Sequence, residues 1–174
     1  VTPKVVLVGL PGAGKSTVGR RLAKILVAEF ADTDELIEAA QGRRVPEIFA
    51  ADGEPGFRAI EARTIAGALR DFDGVLAFGG GALTDSGTRA RLADSGIPVA
   101  WLVAPLETLV ERVGEVHGRP LLDGDPAARL ADLAAERGPV YETAATLTVH
   151  TEHRTPGQVA AFIAARLHER EVTA

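Results

Sequence analysis

One stretch near the start of the chain has the residue types and spacing to hold a nucleoside triphosphate. Gly9-Leu10-Pro11-Gly12-Ala13-Gly14-Lys15-Ser16-Thr17 fits the pattern G-x-x-x-x-G-K-[ST]. Each type in it has a task. The glycines adopt backbone conformations closed to other residues and let the chain approach phosphate oxygens. Successive amides from Gly12, Ala13, Gly14 and onward then form an anion-binding nest. A helix starting at Lys15 adds its positive N-terminal end. The Lys15 ammonium suits the β- and γ-phosphates, and the Ser16 hydroxyl suits Mg²⁺. Together these residues predict a phosphate-binding loop for ATP or GTP. They do not say what becomes of the phosphate.

Further residues are candidates for the acceptor side. Asp32-Thr33-Asp34 follows a short extended piece, and alternate positions there point to opposite sides. One carboxylate can then reach a metal shell while the other meets a hydroxyl. Either can equally cap the helix that follows. Arg58 and Glu61 lie one helical turn apart and can pair. Gly79-Gly80-Gly81 stands where many nucleotide-binding proteins place an aspartate after an apolar strand, and no N-K-x-D base-reading segment occurs.

The elements needed to position these residues are legible. Lys4–Val8, Val75–Phe78, Pro98–Val103 and Thr146–His150 read as short strands, and Glu29–Ala31 as an extended piece. KVVLV and VLAF have no polar alternation, as expected of strands covered on both faces. Between them the apolar spacing is helical over Lys15 to about Ala28, about Leu36 to Gly42, Pro46–Ala51 and Glu54–Asp71. It is helical again to Asp94, from Pro105 to Val113, over Ala127–Arg137 and from Pro156 to Glu169. Alternating strands and helices predict an α/β fold: three αβα layers around a parallel sheet of about five strands. Gly114–Pro126 reads as a Gly/Pro-rich loop, and Trp101 as a core residue.

The 174 residues suit one domain, 1–174, and 46% apolar content argues against disorder. A net charge of −5 disfavours nucleic acid and anionic membranes as partners. Any anion must be held by local positive groups. Without Cys there is no disulfide, thiolate metal site or Cys nucleophile. No signal-like or membrane-spanning run is present, so a cytoplasmic location is expected. The histidines show no metal-ligand spacing, and the absence of an apolar stripe predicts a monomer.

In this order, the phosphate loop, Asp32-Thr33-Asp34, Phe57-Arg58 with Glu61, Gly79-Gly80-Gly81, Arg119-Pro120-Leu121-Leu122, Arg137 with Tyr141, and Arg154 with Pro156 resemble the shikimate kinase family over roughly residues 5–160. The resemblance implies a P-loop kinase fold and transfer of the γ-phosphoryl of ATP to the 3-hydroxyl of shikimate. The cofactors implied are ATP and Mg²⁺, on a route toward chorismate and the aromatic amino acids. It implies a lid over about 114–126 and a substrate-binding helical region over about 33–62. Lys15, Asp34 and the lid residue Arg119 are then catalytic. Gly12 to Thr17, Arg112, Arg119 and Arg154 bind nucleotide, with Arg112 and Arg154 beside the adenine. Asp34, Arg58, Gly79, Gly80, Gly81 and Arg137 bind shikimate, the arginines on its carboxylate. Ser16 binds Mg²⁺ directly and Asp32 through water. On the residues alone two rivals remain: another small-molecule kinase of the same group, such as a gluconate or nucleoside monophosphate kinase, and a nucleotide-dependent switch.

Overall fold

The structure, a computed structural model, describes residues 1–114 and 124–173. Five strands form one parallel sheet: β1 (Val5–Val8), β2 (Glu29–Asp32), β3 (Gly74–Ala77), β4 (Val99–Val103) and β5 (Leu147–His150). Their order is β2-β3-β1-β4-β5, with Leu7 opposite Ala77 on one side and Ala100 on the other. β1 is central and buried at every position, which explains its unbroken apolar run.

Alternate residues of β1 feed two separate apolar layers. Val5 and Leu7 pack with Leu22 of α1 (Lys15–Ile25) and Ile163 of α7 (Pro156–Thr173). Val6 and Val8 pack with Ile65 of α3 (Val45–Asp71) and Leu92 of α4 (Ser86–Ser95). Each fully buried Leu or Ile contributes about 2–3 kcal/mol of transfer free energy. The chain leaves β1 through α1 on the first face. It leaves the adjacent β3 toward α4 on the second. The two loops diverge at the carboxyl ends of neighbouring strands, and such a switch point opens a crevice.

Local signals explain most boundaries. Asp32 caps α2 (Thr33–Gln41), its Oδ1 accepting from the Asp34 N–H at 2.9 Å. Gly42 ends that helix at φ 62°. The two helical stretches expected over 46–51 and 54–71 form one element, α3, bent at Gly53 (φ 69°, ψ 177°). Pro55 falls in the first turn after the bend, where its missing N–H costs nothing.

Two expectations need adjustment. The helix expected to stop at Arg137 runs as α6 (Pro126–Ala144) straight through Pro139. Pro139 forfeits one backbone bond, but Leu133, Arg137 and Tyr141 are all buried along that helix, and their packing outweighs the loss. Trp101 is half-buried at the margin of the second layer instead of central to it, its ring centroid 6.0 Å from that of Tyr141. The remaining helix, α5, spans Leu106–Gly114. No described helix is long and apolar enough to cross a membrane.

Candidate active site

The crevice at the switch point holds a cavity of about 520 Å³. Its floor is the loop between β1 and α1. Gly12 and Gly14 take φ of 85° and 94°, which only glycine adopts cheaply. A Cβ on Gly12 would also stand 3.0 Å from the Leu109 carbonyl oxygen. Gly14 is the N-cap of α1, and no described side chain caps that helix start. The first-turn amides of α1 therefore present a positive end suited to phosphate oxygens. Lys15 Nζ donates to Gly9 O at 2.7 Å and Leu10 O at 3.2 Å, lying across its own loop. Arg112 of α5 donates to Gly12 O at 3.1 Å and also lines the cavity.

Beside the loop, Ser16 Oγ donates to Asp32 Oδ2 at 2.8 Å. A hydroxyl next to a carboxylate is a hard oxygen pair, the donor chemistry Mg²⁺ takes when it keeps most of its waters. Asp32 thus caps α2 with one oxygen and accepts from Ser16 with the other. The described residues contain no cluster of three or more acids and histidines able to hold a metal alone.

The opposite wall comes from α2, α3, α6 and the Gly79–Gly81 loop. Burial pushes the Asp34 carboxyl up to about 7, helped by the Asp32 and Glu61 carboxylates and opposed by Lys15 and Arg58. Arg58 Nη1 donates to Glu61 Oε2 at 2.7 Å. Glu61 is 2% exposed, and burial raises its pKa against the pull of Arg58. Arg137, 4% exposed, has no hydrogen-bond partner for Nε among the described residues. A buried unsatisfied guanidinium edge is costly, and an anionic ligand would satisfy it.

The triple glycine is required by close approach. A Cβ on Gly79 would lie 2.8 Å from Asp34 Oδ1 and 2.9 Å from Glu61 Oε1. On Gly80 it would meet Arg137 Nη1 at 2.9 Å, and on Gly81 it would run into the Arg58 guanidinium. The loop is tethered as well: Gly79 N–H donates to Thr33 Oγ1 at 2.8 Å, and the Tyr141 hydroxyl donates to Gly80 O.

Of the residues singled out in the sequence, the structure brings Gly12, Gly14, Lys15, Ser16, Thr17, Asp32, Asp34, Arg58, Gly79, Gly80, Gly81, Arg112 and Arg137 to one cavity. Ala13 lies beneath it, buried in the first apolar layer. Arg154 does not join them. It is exposed after β5, its guanidinium 4.9 Å from the centroid of the Phe162 ring. Arg119 and the lid residues 115–123 lie outside the described residues. Phe49 and Phe57, stacked at 4.5 Å across the α3 bend, also line the cavity, as does Glu38. Sequence reasoning gave Glu38 and Phe49 no role and named Phe57 only within the resemblance. Two phenylalanines flanking a glycine–proline bend were the available signal.

A parallel five-stranded sheet with a lysine-bearing phosphate loop at its switch point, facing a wall of one aspartate and two arginines, defines a P-loop phosphotransferase for a small anionic acceptor. The shikimate kinase family model matches residues 11–168. The shikimate kinase of Mycobacterium avium is 50% identical over 168 residues, covering 96% of this chain and 94% of that protein. That of Mycobacterium tuberculosis is 49% identical with the same coverage. Among solved structures, shikimate kinase from Acinetobacter baumannii in complex with shikimate superposes with a TM-score of 0.92. It is 36% identical and covers 98% of this chain and 95% of that one. The chain belongs to the shikimate kinase family.

Proposed function

We propose that this chain transfers the γ-phosphoryl of ATP to the 3-hydroxyl of shikimate, giving shikimate 3-phosphate and ADP, with the residue roles that follow. The observation that carries the reading is the meeting of Asp34, Arg58 and Arg137 with Lys15 and Ser16 in one cavity. Arg58 and Arg137 offer planar donors to a carboxylate. Glu61, ion-paired to Arg58, keeps that guanidinium in one orientation. Asp34 accepts from the acceptor hydroxyl and receives its proton as phosphoryl transfer proceeds. With an ordinary pKa of 3.8 raised to about 7, it is a better proton acceptor than a surface aspartate. Lys15 leaves the loop carbonyls for the β- and γ-phosphates and stabilises the charge that builds on the transferring group. Ser16 and Asp32 would hold Mg²⁺, which when bound neutralises phosphate charge. Arg112 stays near the nucleotide through Gly12, and Arg119, in the lid, completes the closed site. Water is the competing acceptor, and excluding it is the task of a lid over 114–126.

The whole chain acts as a single domain and as a monomer in this reading, in the cytoplasm, where ATP is at hand. Neither nucleic acid nor membrane takes part. The test is ADP release from MgATP with shikimate, with gluconate as control acceptor. Release rises strongly with shikimate alone. Equal stimulation by gluconate, or none by either, overturns the assignment.

A further inference from the structure

Tyr141 is the only tyrosine in the chain. It is 2% exposed, four residues beyond Arg137 on the same buried stripe of α6. Its hydroxyl lies between two loops that are 71 residues apart in sequence, Gly9 and Gly80. It donates to Gly80 O, and Gly9 O lies 3.3 Å from it. Gly9 O has a second donor, Lys15 Nζ at 2.7 Å. Gly80 O has no other donor among the described residues.

We propose that Tyr141 is a positioning residue for the acceptor, fixing the Gly80–Gly81 peptide against the phosphate loop so that the acceptor wall stands in register with the transferring phosphate. A trans peptide points its carbonyl and the following N–H in opposite directions, so anchoring Gly80 O also sets the direction of the Gly81 N–H. The loop has no side chains of its own to hold it, and three glycines in succession are conformationally loose. Thr33 fixes one end through Gly79 N–H, and Tyr141 fixes the middle. The Arg137 guanidinium also lies against the Tyr141 hydroxyl, favouring the phenolate, while burial dominates and pushes the pKa up to about 12. The group is therefore a permanent donor across the working pH range. It ties an arginine of the acceptor wall and that wall's glycine loop to one rigid helix. The single hydroxyl proton goes to the closer Gly80 O, so removing it deprives Gly80 O of its donor, while Gly9 O at 3.3 Å loses only a longer contact. The damage falls on the acceptor side.

The inference rests on the acceptor reading above, so wild-type turnover with shikimate is measured first and separates the two. Tyr141→Phe keeps the ring and deletes one oxygen. The expected result is an acceptor KM raised about tenfold, with ATP KM within twofold of wild type. An unchanged acceptor KM, or equal rises in both KM values, overturns the proposal, since a general loosening of the fold does not select one substrate. A second measurement does not depend on the variant folding. Uniform 3-fluorotyrosine labels this single site, and its ¹⁹F resonance moves when shikimate is added to the wild-type chain. A resonance that shikimate leaves unmoved also overturns it.

Discussion

Asp34 is set where a carboxylate is most expensive and most useful. Its folded pKa of about 7 stands above the ordinary 3.8, with burial as the main cause. The folded state therefore binds this proton more tightly than the unfolded state does. The resulting stabilisation is full below about pH 4 and is lost as pH rises toward 7. Above that, the enzyme carries a buried carboxylate facing Asp32 and Glu61 at a cost on the order of 4 kcal/mol. Asp34→Asn removes the charge but not the shape. Without nucleotide or Mg²⁺, its Tm exceeds wild type by several degrees at pH 8, and the gap closes by pH 4–5. Turnover falls at least a hundredfold in the same variant. Thermal melts across pH check the first part, and a Tm gap independent of pH would refute it. At this scale the sequence was most informative where chemistry needs rare types at fixed spacing. Lys15, Ser16, Asp34 and Arg58 belong to that class. Tyr141, Thr33 and the Phe49–Phe57 stack do not, because a buried tyrosine or phenylalanine on a helix looks like core until its neighbours from distant loops are known.

The helices and strands differ in how plainly their limits can be read. Strand limits follow from burial on both faces, and the central strands were legible to within a residue. Helix ends depend on single residues and are harder. α1 ends in a Schellman arrangement: Ala28 N–H donates to Ala23 O at 2.9 Å and Val27 N–H to Lys24 O at 3.3 Å. The residue that must turn left-handed there is Val27, at φ 50° and 92% exposed. A β-branched residue is strained in that conformation, and glycine is the usual occupant. No glycine marked the stop, so the sequence suggested a helix reaching about Ala28 where the structure ends it at Ile25. Val27→Gly relieves the strain and stabilises the fold by about 1 kcal/mol. That corresponds to a Tm gain of about 2–4 °C, with kinetics unchanged. A lower Tm would show that Val27 makes stabilising contacts.

For the molecule as a whole, composition and alternation indicated layers and a parallel sheet but not the order β2-β3-β1-β4-β5. Which strand neighbours which depends on pairings between residues far apart, and no local signal records them. The large exposed apolar residues among those described are Val1, Ile25, Val27 and Val172, which lie near the ends of the chain and at the end of α1. A stable dimer interface usually needs a broad apolar patch. Light scattering on the eluted protein should give a mass near 18.2 kDa, and a mass twice that would contradict the monomer reading. The switch point carries one more consequence. Asp34, Arg58, Glu61 and Gly79–Gly81 all fall between residues 34 and 81, in one continuous stretch separate from the phosphate loop at 9–17. Most of the proposed acceptor wall is thus one cassette and the phosphate loop another, with Arg137 and Tyr141 joining the wall from α6. On the proposed roles, retargeting to another small acid means rewriting that segment together with Arg137 on α6, while the phosphate loop at 9–17 is copied unaltered.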